Sequence, residues 1–345
     1  MLTAAYAGHQ TMSVLTADPR PPGPGEVQIR VAYVGLCGTD LHVLHGSMDH
    51  RVTTPAVIGH EMSGTVAAVG EGVGAWSVGD AVTVMPLVWD GVCPACRAGH
   101  RHICQHLSFV GIDEPGALQE YWTVPETLLV PLAAGLTLRD GALVEPLAVA
   151  VHDVGRSGLA AGETAVVLGG GPIGVLIAAV ARTVGARVLL SEPDAGRRAD
   201  AEAWGFETVD PTAPGEAGDL LARVDELTGG AGADVVFEVS GAAAAVLTAT
   251  GLAKVRGTIV IVAIHPRPVP MDLQRVFWRE LRVLGARVYE PRDFTRAVEL
   301  LADGTVPAAR LVSRVVPLSE VAEGFATLES GQAMKVLVQV EGASA

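Results

Sequence analysis

Aromatic side chains make up only 4% of this 345-residue chain, too few for a large aromatic cage around a ligand. Basic residues are also scarce. Lys and Arg number 24 against 38 Asp and Glu, a net charge of −14. That balance leaves no basic face for a nucleic acid, and its even spread reads as a solubility property. No apolar run reaches about 18 residues without a charge, Gly or Pro, so no membrane span is expected. The opening residues, Met1 to Tyr6, lack the basic start and apolar stretch of a signal peptide. Cysteines number four, Cys37, Cys93, Cys96 and Cys104, and none reads as part of a disulfide framework. A reducing cytoplasm is therefore the expected compartment. No internal repeat is visible.

What is present is enough apolar material, 49%, to fill more than one core, and 345 residues make two domains the default. Residues 1–150 carry short alternating runs such as 27–31 and 64–69, divided by turn signals at 21–25 and 78–80. This is the texture of a β-rich domain. From residue 163 the texture changes. Strands are expected at 164–168, 187–191, 234–239, 258–263 and 281–286, and helices at 172–184 and 194–204. Alternating units of this length imply a doubly wound parallel sheet. The end of the chain offers a helix at 292–302, a strand at 313–316, a helix near 319–328 and a strand at 335–340. It is expected to return to the first domain. The expected division is 1–150 with 289–345, and 151–288.

Gly169-x-Gly171-Pro172-Ile173-Gly174 follows an apolar strand and opens a helix. In a dinucleotide site the first glycine makes the tight turn. The second lets backbone amides approach a pyrophosphate, and the third lets helix and strand pack closely. The helix N-terminus adds partial positive charge. Glu192 ends the next strand, 18 residues after Gly174. A carboxylate there accepts hydrogen bonds from ribose hydroxyls and repels a 2′-phosphate, so NAD is favoured over NADP. Arg197 and Arg198 are the counterweight. They could pair with a phosphate, line a solvated helix face or cover the adenine.

Ahead of this loop lie scattered metal-ligand types: Cys37, His60 with Glu61, and Glu145. One thiol, one imidazole and one or two carboxylates can hold zinc and leave a position open for substrate. Taken singly, each has a plainer reading: packing for the thiol, a hydrogen-bonded surface pair for His-Glu, a helix start for Glu145-Pro146. Their joint occurrence with the glycine loop points to a Lewis acid working with a hydride carrier.

Gly59-His60-Glu61-x-x-Gly64-x5-Gly70-x-x-Val73 resembles the signature of the zinc-containing alcohol dehydrogenases of the medium-chain dehydrogenase/reductase superfamily. Cys37-Gly38-Thr39-Asp40-Leu41-His42 resembles that family's segment of zinc ligand and proton relay. Glu145-Pro146-Leu147-Ala148-Val149-Ala150-Val151-His152 resembles the third-ligand segment of its sorbitol, threonine and butanediol dehydrogenase branch. The resemblance spans nearly the whole chain. It implies a GroES-like β-rich catalytic domain beside a Rossmann domain, and a homodimer or homotetramer. It also implies a catalytic zinc on Cys37, His60 and Glu145, with Glu61 either a fourth ligand or a carboxylate that yields to substrate. The family's four-cysteine lobe, Cys-x2-Cys-x2-Cys-x7-Cys, is matched here by Asp90, Cys93, Cys96 and Cys104. Aspartate oxygen can ligate zinc, so a structural AspCys3 site is expected, with His100, His102 and His106 as competing fourth ligands.

By the same resemblance Thr39 bonds the alcohol oxygen and passes its proton through the nicotinamide ribose to His42. Backbone groups of Val262, Ala263 and Ile264 face the nicotinamide carboxamide. His265 either lines the cleft or sits in a solvent-exposed loop, and Lys335 is left unassigned. Met48, Leu87, Trp89, Phe109 and Tyr289 are candidate pocket walls, most of them expected to be core. The activity implied is an NAD- and zinc-dependent oxidation of a small or medium secondary alcohol, diol or polyol to its ketone. Alternatives are an amino-alcohol dehydrogenase, a zinc-free enone or quinone reductase, and a zinc- and nucleotide-binding protein without turnover.

Overall fold

Two kinds of local pattern divide the chain, and the computed structural model, which describes residues 1–340, places them in two units. One comprises Met1–Ala148 and the segment from Glu290 onward; the other is Val149–Tyr289. The architecture is a GroES-like β domain and a Rossmann-type parallel sheet.

In the first unit the long strand Glu26–Leu36 is the spine. Its alternating residues Val27, Ile29, Val31, Val34 and Leu36 are fully buried, as half-buried strands require. It pairs antiparallel with Glu61–Val69, Tyr121–Pro125 and, from the far end of the chain, Lys335–Gln339. In these registers Gly35 faces Glu61, and Val336 faces Leu36. The strand Val312–Pro317 then runs parallel beside Lys335–Gln339. A seven-stranded sheet results, with a smaller three-stranded sheet built around Leu2–Tyr6.

In the second unit six strands lie in the order Glu207–Val209, Arg187–Ser191, Thr164–Leu168, Ala233–Glu238, Ala253–Ile261, Arg282–Gly285, all parallel. Thr164–Leu168 is buried throughout, as a central parallel strand covered on both faces must be. The direction of winding reverses between it and Ala233–Glu238. The helix expected at 194–204 spans Ala195–Ala203, started by the Asp194 side chain, which accepts a hydrogen bond from Arg197 N. One boundary differs from expectation by more than two residues. The strand placed at 258–263 begins at Ala253 and ends at Ile261. Val262 and Ala263 leave the ladder because both their amides turn onto the carbonyl of Glu238. Among the described residues, no helix is long and apolar enough to cross a membrane.

Candidate active site and metal centres

Cys37 ends the spine strand and caps the short helix Gly38–Leu44, its Sγ accepting from Thr39 N at 3.2 Å. Asp40, wholly buried, turns back on the same cap, one oxygen accepting from Cys37 N at 3.0 Å. Its other oxygen stands 3.5 Å from Nδ1 of His60. That orientation leaves Nε2 of His60 facing Cys37 Sγ at 3.2 Å. A carboxylate behind a ligand histidine fixes the ring and its tautomer. Asp40 lies inside the quoted Cys37–His42 motif, but residue type and spacing do not single it out. Phe109 packs edge-on against the His60 ring, centroids 5.1 Å apart.

Glu61 follows His60 on the strand opposite Gly35. Glycine is required at 35 because a Cβ would overlap the Glu61 carboxylate. Both Glu61 oxygens accept from Lys335 Nζ, at 2.7 and 2.9 Å, and Nζ also donates to Leu36 O at 3.1 Å. Lys335 is the residue that sequence reasoning left unassigned. Its only signal was a lysine opening an otherwise apolar strand.

Donor atoms of Cys37, His60 and Glu61 all lie within 4.8 Å of one another. Glu145, near the start of the helix Val144–Ser157, is buried but stands outside that tight group. Its charge still reaches the site, since it helps to raise the pKa of both His60 and Lys335. Burial, then Asp40, pushes the Cys37 thiol up. Burial works to lower the His60 pKa but is outweighed by Cys37 and Asp40, leaving it well above the usual value. Asp40, Glu61, Glu145 and Cys37 are thus four groups able to carry negative charge around one buried lysine. Thiolate, imidazole and carboxylate are zinc donors, so this donor set fits a zinc ion.

Thr39 is half-buried and His42 exposed, three residues apart on one face of their helix. Of the expected pocket walls, Tyr289 and Leu87 are core residues, exposed by 0% and 1%. Met48 and Trp89 are half-buried.

The lobe carries the second group. Asp90, Cys93, Cys96 and Cys104 offer donor atoms within 4.8 Å of one another. Cys93 Sγ and Cys104 Sγ are 3.8 Å apart, about the edge of a zinc tetrahedron with ~2.3 Å bonds. Backbone amides of Asp90, Cys96 and His106 point at the sulfurs, at 3.3–3.4 Å. This donor set also fits zinc. Among the competing histidines, His106 Nδ1 donates to Asp90 at 2.6 Å, and His102 stands 3.9 Å from Glu290. The hydrogen bond from His106 and two backbone amides hold the Asp90 carboxyl far below its ordinary range.

In the second unit Gly169 adopts φ +116°, and Gly174 packs so closely on its carbonyl that a Cβ could not be accommodated. The helix Pro172–Val184 begins there. Glu192, buried, points back into the loop. One of its oxygens accepts from Gly170 N at 2.7 Å, the other from Asp194 N at 2.9 Å. Arg198 donates to the carbonyls of Glu192 and Pro193 and pairs with Asp210, so its head is engaged locally. Arg197 is half-buried. Val262 and Ala263 lie half-buried and Ile264 exposed at the carboxyl edge of the sheet.

Residues 23–134 match the family model described as the alcohol dehydrogenase GroES-like domain, and residues 172–303 that of the zinc-binding dehydrogenases. The chain is 52% identical over 340 residues to 2-dehydro-3-deoxy-L-galactonate 5-dehydrogenase of Pseudoalteromonas atlantica, covering 98% of each. It is 34% identical to sorbitol dehydrogenase of Halalkalibacterium halodurans, covering 93% of each. Among solved structures, a zinc-binding dehydrogenase from Sinorhizobium meliloti bound to NADP superposes with a TM-score of 0.90. Its identity to the chain is 35%, and 98% of each chain is covered.

Proposed function

The chain belongs to the zinc-containing medium-chain alcohol dehydrogenases, and on that premise we propose that it oxidises one secondary hydroxyl of a polyhydroxylated sugar acid to the ketone, with NAD as hydride acceptor. The observation that carries this reading is the convergence of Cys37, His60 and Glu61 at one buried point. The sugar-acid class is supported by the relative at 52% identity.

The residues suit that chemistry as follows. Cys37, His60 and Glu145 are proposed to hold the catalytic zinc. Glu61, engaged on both oxygens by Lys335, stands as the carboxylate that leaves a position open for substrate. Bound there, zinc supplies Lewis acidity toward the substrate hydroxyl, and the nicotinamide ring supplies the hydride acceptor. Thr39 accepts the hydroxyl proton while donating its own, because a hydroxyl oxygen can accept and donate at once. His42, exposed one turn along, delivers that proton to solvent. Asp40 holds the His60 ring. Asp90, Cys93, Cys96 and Cys104 hold a structural zinc. Gly169, Gly171, Pro172, Ile173 and Gly174 cradle the pyrophosphate, Glu192 takes the adenosine ribose, and Arg197 flanks it. Backbone groups of Val262, Ala263 and Ile264 face the carboxamide.

The chain also leaves an open sheet edge at Arg282–Gly285, preceded by Leu273, Phe277 and Trp278, which are 71%, 73% and 73% exposed. An apolar patch beside an unpaired edge strand supports a homodimer built by that edge, alone or within a tetramer. All four thiols are free, which suits the cytoplasm.

The test is a panel of aldonic and 3-deoxy-aldonic acids, neutral polyols, diols and threonine, with NAD and NADP in parallel. Highest kcat/KM on a hydroxylated acid with NAD is expected. Turnover confined to threonine would replace this reading by an amino-alcohol dehydrogenase. Activity confined to enones would remove the zinc mechanism.

A further inference from the structure

Glu238 ends the strand Ala233–Glu238, fully buried, in register with Leu168, the last residue before the glycine loop. Three donors meet its Oε1: Ser240 N at 3.0 Å, Ser240 Oγ at 2.7 Å and Gly241 N at 2.9 Å. Its Oε2 lies 3.0 Å from Nε2 of His265. The main-chain carbonyl of the same residue accepts from Val262 N at 2.9 Å and Ala263 N at 3.2 Å. One glutamate therefore ties together the two loops that leave the sheet at this edge, residues 239–242 and 262–265. Ser240 lies directly against the glycine loop: a Cβ on Gly169 would stand 3.0 Å from its amide nitrogen.

The place matters because a doubly wound sheet binds its ligand beyond the carboxyl ends of the strands where the winding reverses. Here that point is the pair Thr164–Leu168 and Ala233–Glu238. A buried carboxylate is tolerated only when its lone pairs are met by donors. Among the described residues Oε2 is met by His265, from a side chain only 12% exposed. A carboxylate can only accept, so Nε2 of His265 carries the proton and donates.

We propose that the Glu238–His265 pair is a cofactor-positioning clamp: it holds the backbone of residues 262–264 against the Ser240 loop, so that the nicotinamide half of the dinucleotide meets a pre-formed surface. This rests on the reading of the second unit as an NAD site. His265 is a positioning residue that acts through the loop. Ordering the loop before binding removes an entropic cost from every association, so loss of the clamp shows first in cofactor affinity.

The full-length protein is compared with His265→Gln, whose amide reaches Glu238 and can donate, and His265→Met, which fills similar space without a donor. Each is titrated with NADH by nicotinamide fluorescence, and NAD kinetics, zinc content and melting temperature are recorded. The methionine variant is expected to bind NADH roughly tenfold more weakly, the worth of one hydrogen bond to a charged group. Its KM for NAD rises in parallel and its melting temperature falls, because the buried Glu238 Oε2 loses its donor, while kcat at saturating NAD and zinc content stay near wild type. The glutamine variant recovers most of the affinity. Wild-type affinity in the methionine variant, or equal losses in both, overturns the clamp. If the methionine variant does not fold, His265→Asn, whose amide stops short of Glu238, takes its place with the same expectation. A wild-type protein that leaves NADH fluorescence unchanged overturns the NAD reading and the clamp with it.

Discussion

The ammonium of Lys335 stands 2.7 and 2.9 Å from the two carboxylate oxygens of Glu61, and both side chains are buried. Burial alone would lower the lysine pKa. Glu61, and then Cys37, outweigh it and hold the ammonium above its ordinary value. Removing one partner of such a pair leaves an uncompensated charge and costs about 3–5 kcal/mol. Lys335→Met is therefore expected to lower the urea midpoint of the zinc-free protein markedly. Added zinc restores part of the loss, because the freed carboxylate can turn to the cation. Equal midpoints for variant and wild type would show that the pair contributes nothing.

Two zinc ions per chain are expected by mass spectrometry of protein purified without chelator. Asp90→Ala reduces the count toward one, and Asp90→Cys restores it, because a fourth thiolate completes the tetrahedron. Cys37→Ala also reduces the count, and abolishes turnover while NADH still binds within about twofold of wild type. A Cys37→Ala protein with full activity would refute the catalytic assignment.

Gly170 N donates to Glu192 at 2.7 Å, and the two are proposed to read the adenosine ribose together. A Cβ on residue 170 would come within 2.9 Å of Glu192 Cβ and of Leu190 Cδ2. Gly170→Ala is thus expected to displace Glu192 and weaken NAD binding by tenfold or more. Glu192→Ser removes the charge that repels a 2′-phosphate. The ratio of kcat/KM for NAD over NADP should fall by about an order of magnitude. An unchanged ratio would mean that the ribose is read elsewhere.

Asp234 and Lys254 form an ion pair at the amino-terminal edge of the parallel sheet, and Asp234 also accepts from Thr164 N at 2.8 Å. Burial acts to raise the Asp234 pKa, but the Lys254 and Thr164 bonds outweigh it and the net direction is down. A carboxylate depressed in the folded state stabilises above its unfolded value, near 3.9, and that contribution is lost as pH falls through the folded value. Lys254 is raised, chiefly by its bond to Asp234. Its contribution is present below the unfolded value, near 10.4, and is lost as pH rises through the folded one. Melting temperature followed from pH 5 to pH 2 should fall more steeply for wild type than for Lys254→Met. Parallel curves would dismiss the pair as a source of acid sensitivity.

Trp278→Glu places a charge in the exposed patch beside the open edge strand. If that edge builds the dimer, light scattering should show a shift toward a smaller species at micromolar concentration. An unchanged mass would move the interface elsewhere.

Much of the site was legible because its signals are local. Gly169, Gly171 and Gly174 sit at fixed offsets after an apolar strand, and Cys93, Cys96 and Cys104 lie within one short lobe. Chain connectivity alone brings such residues together. Cys37 and His60, which the fold brings together, were legible only as a matched family pattern, since nothing in their spacing makes them meet. Asp40 was passed over because an aspartate in a first helical turn is ordinary capping chemistry. His265 was left between two readings, cleft wall or open loop. It is neither fully, because its partner Glu238 stands on a neighbouring strand.

The sequence by itself determined where strands and helices form, which residues have metal-ligand chemistry, and that a glycine loop opens the helix at Pro172. Those properties depend on backbone preference, side-chain period and residue type, all of which act over a few positions. The tertiary structure alone decided that Lys335 meets Glu61 across 274 residues, and that Gly35 makes room for the Glu61 carboxylate. A period of two marks a strand without naming its neighbour. Register, which only the assembled sheet fixes, carried Lys335 alongside Leu36 and Glu61 opposite Gly35.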